Sequence, residues 1–214
     1  SPWGIITTPT TNEHAVPAMT FKGQTEFEHG TSGKIGVLLV NLGTPAAPTP
    51  AAVRPWLRHF LSDPRVVEVP RLLWWFILNC FILLTRPARS ARAYQKIWTE
   101  QGSPLLINLQ QQTQHLSERL QQRHGDRVLV KYAFSYGSPS IGESIQALSD
   151  EGMQQLLVVP LYPQYSATTG GSVFDAIAAD FSSRRWLPEL RMLTHYHDQP
   201  GYITALANSV QRFQ

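Results

Sequence analysis

A chain of 214 residues with 43% hydrophobic and 15% charged side chains is long enough for one sizeable core, or for one domain and part of another. Its formal net charge of +3 comes without a run of like charges or an aromatic-plus-basic pattern. That argues against a nucleic-acid partner and leaves an anionic ligand or a membrane surface as easier ones. The single cysteine, Cys80, excludes an internal disulfide framework and supplies no metal-ligand spacing, so a reducing compartment is expected. Because Cys80 lies in an apolar run, a small buried side chain is its simplest role.

Residues 1–33 are rich in Thr, Pro, Gly and Glu, lack apolar periodicity, carry no secretory signal pattern, and read as a disordered leader. From Lys34 onward strand and helix patterns alternate. Ile35 to Val40 reads as a short buried strand, Pro50 to Leu61 as a helix, Pro104 to Arg123 as a longer helix, and Val128 to Phe134 as a second strand. A helix over Ser140 to Glu151, a strand over Gln155 to Leu161, a helix over Ser172 to Phe181, a strand over Leu190 to Tyr196 and a helix from Pro200 follow. The alternation predicts an α/β domain: an open parallel sheet with right-handed crossovers and helices on both faces, a Rossmann-type three-layer arrangement.

Leu72 to Leu84 is the most hydrophobic stretch, with Leu72, Leu73, Trp74, Trp75 and Phe76 leading it. It is well short of the roughly 20 residues that span a bilayer as a helix. Being apolar on all sides and bounded by Pro70 and Pro87, it also lacks the polar face that a helix packed on a sheet keeps. Arg86, Arg89, Arg92 and Lys96 recur beyond it at helical spacing as a basic stripe. Paired tryptophans beside cations suit a membrane interface, so an exposed apolar lip is expected, with a core helix as the alternative.

The segment from Leu157 to Asp175 runs an apolar strand into hydroxyls and glycines and then into an amphipathic helix. Such a junction places polar side chains and backbone N–H groups at the carboxyl end of a sheet, where open α/β folds bind their ligands. Tyr162 and Tyr165 stand beside that rim, and Ser166, Thr168 and Thr169, with N–H groups near Gly170, are suited to hold carboxylates or polar ligand edges. His195 and His197, in Thr194-His-Tyr-His-Asp198, would share a face of the last strand, yet a His-x-His pair without a third ligand is a weak metal signature. His59, His115 and His124 sit in helical, polar surroundings and read as surface residues.

Tyr162-Pro-Gln-Tyr-Ser-Ala-Thr-Thr-Gly170 resembles the signature stretch of the ferrochelatases, the enzymes that insert ferrous iron into a porphyrin to make haem. Val37-Leu-Leu-Val-Asn-Leu-Gly-Thr-Pro45 resembles the family's first strand and turn. Tyr94-Gln-Lys-Ile-Trp98, Gly102-Ser-Pro-Leu105 and Tyr136-Gly-Ser-Pro139 fall between them in the family's order, so the likeness covers roughly residues 35 to 204.

What the resemblance implies is the N-terminal portion of a bacterial-type ferrochelatase, a lyase of haem biosynthesis. Residues 34–190 would form the first of two similar chelatase-like domains, and 191–214 would begin the second. Leu42, Thr44, Pro45, Tyr94, Ser103, Tyr136, Tyr165, Ser166 and Thr168 correspond to porphyrin-contacting positions, and the apolar lip to one that borders the porphyrin cleft and touches the membrane. Iron and porphyrin would be substrates, no cofactor is expected, and the protein would be cytoplasmic and peripherally membrane-associated. The family's proton-accepting histidine and a later glutamate belong to motifs not found before Gln214, so no catalytic residue is expected in this stretch. Ser135 departs from the family, which commonly has arginine there. A non-catalytic tetrapyrrole-binding or membrane-surface module is the alternative; a phosphate-binding domain cradled by Thr169 to Ser172 is a poor rival without a Gly-x-Gly-x-x-Gly or Gly-Lys-Ser/Thr element.

Overall fold

Four strands, β1 (Lys34–Asn41), β2 (Val128–Phe134), β3 (Met153–Pro160) and β4 (Glu189–Met192), pair in parallel in the order β2-β1-β3-β4. The structure is a computed structural model that describes Lys22 and residues 33–213. The leader expected over 1–33 therefore falls almost wholly outside the described residues. Seven α-helices accompany the sheet among the described residues: α1 (Pro50–Ser62), α2 (Arg71–Ile77), α3 (Leu83–Gln95), α4 (Pro104–His124), α5 (Ile141–Asp150), α6 (Ser172–Ser182) and α7 (Pro200–Gln211).

Side-chain alternation along β1 explains the layers. Leu38 and Val40 point to one face, where they meet Ile145 and Leu148 of α5 and Val173 and Ile177 of α6. Val37 and Leu39 point to the other, where Leu109 of α4 covers them. Helices thus lie on both faces, as the strand–helix alternation predicts. Each fully buried Leu or Ile contributes about 1.5–3 kcal/mol relative to exposure.

Local sequence sets the helix starts. Thr49 caps α1, its side chain accepting from the Ala52 N–H at 3.3 Å, and Pro50 supplies a first turn that needs no N–H. Ser140 and Glu143 form a capping box on α5, with the Glu143 carboxylate accepting from the Ser140 N–H at 2.6 Å. That bond holds the Glu143 carboxyl below the usual carboxylate range.

A second, smaller core joins α1, α2 and α3. Between α2 and α3 the chain passes through one wide π turn, Leu78–Ile82. The wider turn lets Leu78 and Leu83 face α1 together although they are five positions apart, a spacing an ordinary α-helix would splay. Trp74 turns inward as well, donating its indole N–H to the Leu61 carbonyl at 2.6 Å. Residues around them point outward: Leu72 is 88% exposed, and Leu73, Trp75, Phe76, Phe81 and Leu84 are exposed too. Much of this apolar stretch is thus exposed among the described residues, whereas Trp74 is half-buried and bonded to Leu61. Arg86, Arg89, Arg92 and Lys96 all lie on the outer face of α3 or at its end, opposite Leu83, Pro87 and Ala91.

The fourth strand is shorter than the sequence pattern suggests. The Leu193 N–H still bonds the Val158 carbonyl at 3.0 Å, but the Tyr196 and His197 N–H groups turn to the Pro163 carbonyl, at 2.9 and 3.1 Å. The chain leaves the sheet and crosses its rim instead of extending to residue 196. His195 and His197 are consequently not strand neighbours, although the turn leaves their rings 5.7 Å apart. Position 190 lies within β4. Beyond it, α7 has no buried residue and exposes Ile203, Leu206 and Val210.

Candidate functional site

Three parallel strands deliver three turns to one edge. Leu42 to Pro45 follow β1, Ser135 to Pro139 follow β2, and Leu161 to Gly171 follow β3, so the motifs separated in sequence meet at the carboxyl end of adjacent strands. Backbone bonds fasten the first two together: the Tyr136 N–H reaches the Leu42 carbonyl and the Ser135 N–H the Asn41 carbonyl, both at 2.9 Å. Gly43 is required there. Its φ is 112°, and a side-chain carbon would fall 1.8 Å from the Tyr136 carbonyl oxygen.

One cleft of about 540 Å³ opens beside these turns. Thr44, Pro45 and Ser103, three of the expected porphyrin contacts, line it together with Trp56, His59, Trp98 and Phe134. The Thr44 hydroxyl oxygen and the Trp56 indole nitrogen are buried without a hydrogen-bond partner among the described residues. Ser103 stands at the start of α4 without bonding that helix through its hydroxyl, and it is only 4% exposed. Tyr94 does not itself line the cleft. Its ring is edge-on to both Trp56 and Trp98, bracing the tryptophan wall from behind, and burial raises its hydroxyl pKa.

A second, more polar cleft of about 340 Å³ adjoins it, lined by His59, Ser62, Asp63, Ser135, Tyr136, Ser172 and Asp175. Tyr136 is 3% exposed and donates its hydroxyl to Asp63 at 2.6 Å. Burial, and then the bond to Asp63, pushes its pKa well above the ordinary tyrosine value. Tyr162 is likewise pushed up, by burial. His59 and Phe60 stand edge-on to the Tyr136 ring at 5.3 and 5.1 Å, so His59 forms part of the wall shared by the two clefts.

The turn after β3 is more fully hydrogen-bonded within itself than its sequence suggests. Ser166 accepts the Thr168 N–H on its hydroxyl, which also lies 3.0 Å from the Thr168 hydroxyl, and its carbonyl accepts from Thr169 and Gly171. These N–H groups, expected to be free for a ligand, are thus used inside a π turn, Ala167–Gly171, because Ser166 caps it. Tyr165 is 58% exposed beside that turn. Leu42 is half-buried at the end of β1.

Sequence reasoning missed a set of residues that the fold adds here. Asp63 accepts the Arg65 N–H at 2.7 Å, and Arg65 grips both carboxylate oxygens of Asp175 on α6, one at 2.8 Å. The pair holds the Asp175 carboxyl below the usual range. The overlooked signal was the spacing of Trp56, His59, Phe60 and Asp63, which puts them along one face at the end of α1. No group of three or more His, Cys, Asp or Glu among the described residues is placed to hold a metal ion, His195 and His197 included.

Comparison with known proteins fits this geometry. The ferrochelatase family model matches residues 34–213. The chain is similar to the ferrochelatase of Teredinibacter turnerae, 60% identical over 194 residues that make up 91% of this chain and 53% of that protein. The ferrochelatases of Alcanivorax borkumensis and Idiomarina loihiensis are each 53% identical, across 92% and 91% of this chain and 58% and 53% of theirs. The chain therefore spans about half the length of the curated relatives it matches. With the family's motifs gathered at one sheet edge and its model matched from β1 to beyond α7, this chain belongs to the ferrochelatase family.

Proposed function

We propose that this chain is the N-terminal part of an enzyme that inserts ferrous iron into a porphyrin in haem biosynthesis. The observation that carries the reading is the meeting of Thr44, Pro45 and Ser103 in one aromatic-walled cleft, with Tyr136 and Tyr165 on neighbouring turns of the same sheet edge. A flat macrocycle suits walls of Trp56 and Trp98, whose faces and edges complement a π-system. The hydroxyls of Thr44 and Ser103 are suited to its polar substituents. In this reading the residues described here bind and orient the porphyrin, iron enters as a substrate, no cofactor takes part, and the group that accepts the pyrrole protons belongs to the half of the relatives' length that this chain does not span.

Peripheral membrane contact through the lip is part of the proposal. Its support is the exposure of Leu72, Trp75, Phe76 and Phe81 beside the outward stripe of α3. No helix among the described residues is long and apolar enough to cross a membrane.

Porphyrin titration and fluorescence-monitored zinc insertion by the full-length protein test the reading. Turnover is expected, with Tyr165→Phe weakening porphyrin binding at nearly unchanged thermal stability, and Ser166→Ala weakening it together with the loss of a turn cap worth about 0.5–2 kcal/mol. Porphyrin binding without insertion would favour the non-catalytic alternative. No porphyrin binding would overturn both.

A further inference from the structure

Arg65 occupies an unusual place between the two halves of the rim. It follows α1, yet its guanidinium reaches α6 and lies directly over the β3 turn. A side-chain carbon on Gly171 would fall 3.0 Å from Arg65 Nη1 and 3.2 Å from its Cδ and Cζ. At the preceding residue, a side-chain carbon on Gly170 would fall 3.2 Å from the Tyr165 ring. Two successive glycines thus form a floor on which the arginine and the tyrosine rest side by side.

The same arginine is tied at both ends. Its backbone N–H is held by Asp63, whose other oxygen receives the Tyr136 hydroxyl. Its side chain holds Asp175 through two hydrogen bonds, a planar fork-to-carboxylate fit that lysine cannot reproduce. One continuous set of bonds therefore runs from Tyr136 on the β2 turn, through Asp63 and Arg65, to Asp175 on α6 and the glycine floor under Tyr165.

We propose that Arg65 is a positioning residue for the porphyrin rim, fixing the Tyr165-bearing turn relative to the Tyr136 turn through its paired bonds to Asp175. The inference rests on the porphyrin reading above and adds to it a residue that touches no substrate. The ion pair is too exposed to matter much for stability, with its side chains 36% and 48% accessible. Its geometric consequence is larger, because it alone among the described ion pairs joins the end of α1 to the start of α6.

A double-mutant cycle in the full-length protein tests this. Arg65→Gln is expected to raise the porphyrin Kd and KM about five- to tenfold with kcat and thermal midpoint nearly unchanged, and to have little further effect once Tyr165 is Ala. Arg65→Lys should recover only part of the loss. Gly171→Ala, which crowds the guanidinium without altering its charge, should reproduce it. If unmodified protein binds porphyrin but Arg65→Gln binds equally well, or if the Arg65 and Tyr165 effects simply add, the positioning role is overturned while the porphyrin reading stands. If unmodified protein binds no porphyrin, both fall.

Discussion

Tyr136 shows how far a residue type can be read from sequence and where reading stops. Its position in the Tyr-Gly-Ser-Pro motif marks it as a candidate site residue, but nothing local to the motif reveals that its hydroxyl is spent on Asp63, a partner far away in the chain. Because the folded protein holds that proton more tightly than the ordinary value of 10.0, the contribution to stability is complete below about pH 10 and is lost as pH rises through the raised value. Tyr136→Phe is therefore expected to cost about 1–3 kcal/mol at neutral pH, by leaving a carboxylate short of a partner, and to remove that alkaline loss. Urea unfolding at pH 7 and above pH 10 measures both, and a variant as stable as its parent at pH 7 would contradict the assignment. Asp175 behaves in the opposite sense. Its carboxyl is held down by Arg65, so the tie is complete above the ordinary value of 3.8 and is lost only as pH falls through the lowered one.

At the level of elements, strands and helices bounded by clear turn signals are the most legible. β2 falls where its alternating apolar pattern puts it, and Pro50, Pro104 and Pro200 mark the starts of α1, α4 and α7. The lip was legible as an apolar stretch but not as a helix interrupted by a π turn, since hydropathy carries no information on hydrogen-bond register. Only the facing of Leu78 and Leu83 toward α1 reveals it. This makes the element sensitive to length more than to composition. Inserting one alanine after Phe81, an exposed residue, would place Leu78 and Leu83 six positions apart and rotate one of them out of the small core. The expected cost is about 2–5 kcal/mol, the range of losing a buried leucine. Phe81→Ser, which keeps the length, should cost far less. Thermal unfolding of the two variants compares them, and equal stability would remove the π turn from the account. β4 was over-read for the converse reason: an apolar-alternating run continues past Met192, but the Pro163 carbonyl captures the following N–H groups.

Across the whole molecule the exposed lip and the basic outer face of α3 lie next to each other, and this adjacency is the basis for expecting membrane affinity. The protein should sediment with anionic vesicles better than with neutral ones and lose part of that binding at high salt, as screening acts on the arginines. Trp75→Ser should weaken binding while leaving stability nearly unchanged. Trp74→Ser should destabilise the α1–α3 core instead, because Trp74 packs there and holds the Leu61 carbonyl. Vesicle binding that ignores lipid charge and Trp75 would return the lip to a purely structural role. The strand order has a different consequence, in time more than in space. β1 is the earliest of the described strands to be synthesised and an inner strand of the sheet, yet both of its partners lie beyond Arg127. At ribosomal rates of about 5–20 residues per second it waits on the order of ten seconds for β2. During that interval α1 to α3, whose contacts with one another are near in sequence, are free to pack together, while the apolar run of β1 remains open to chaperones and to aggregation until its parallel neighbours arrive.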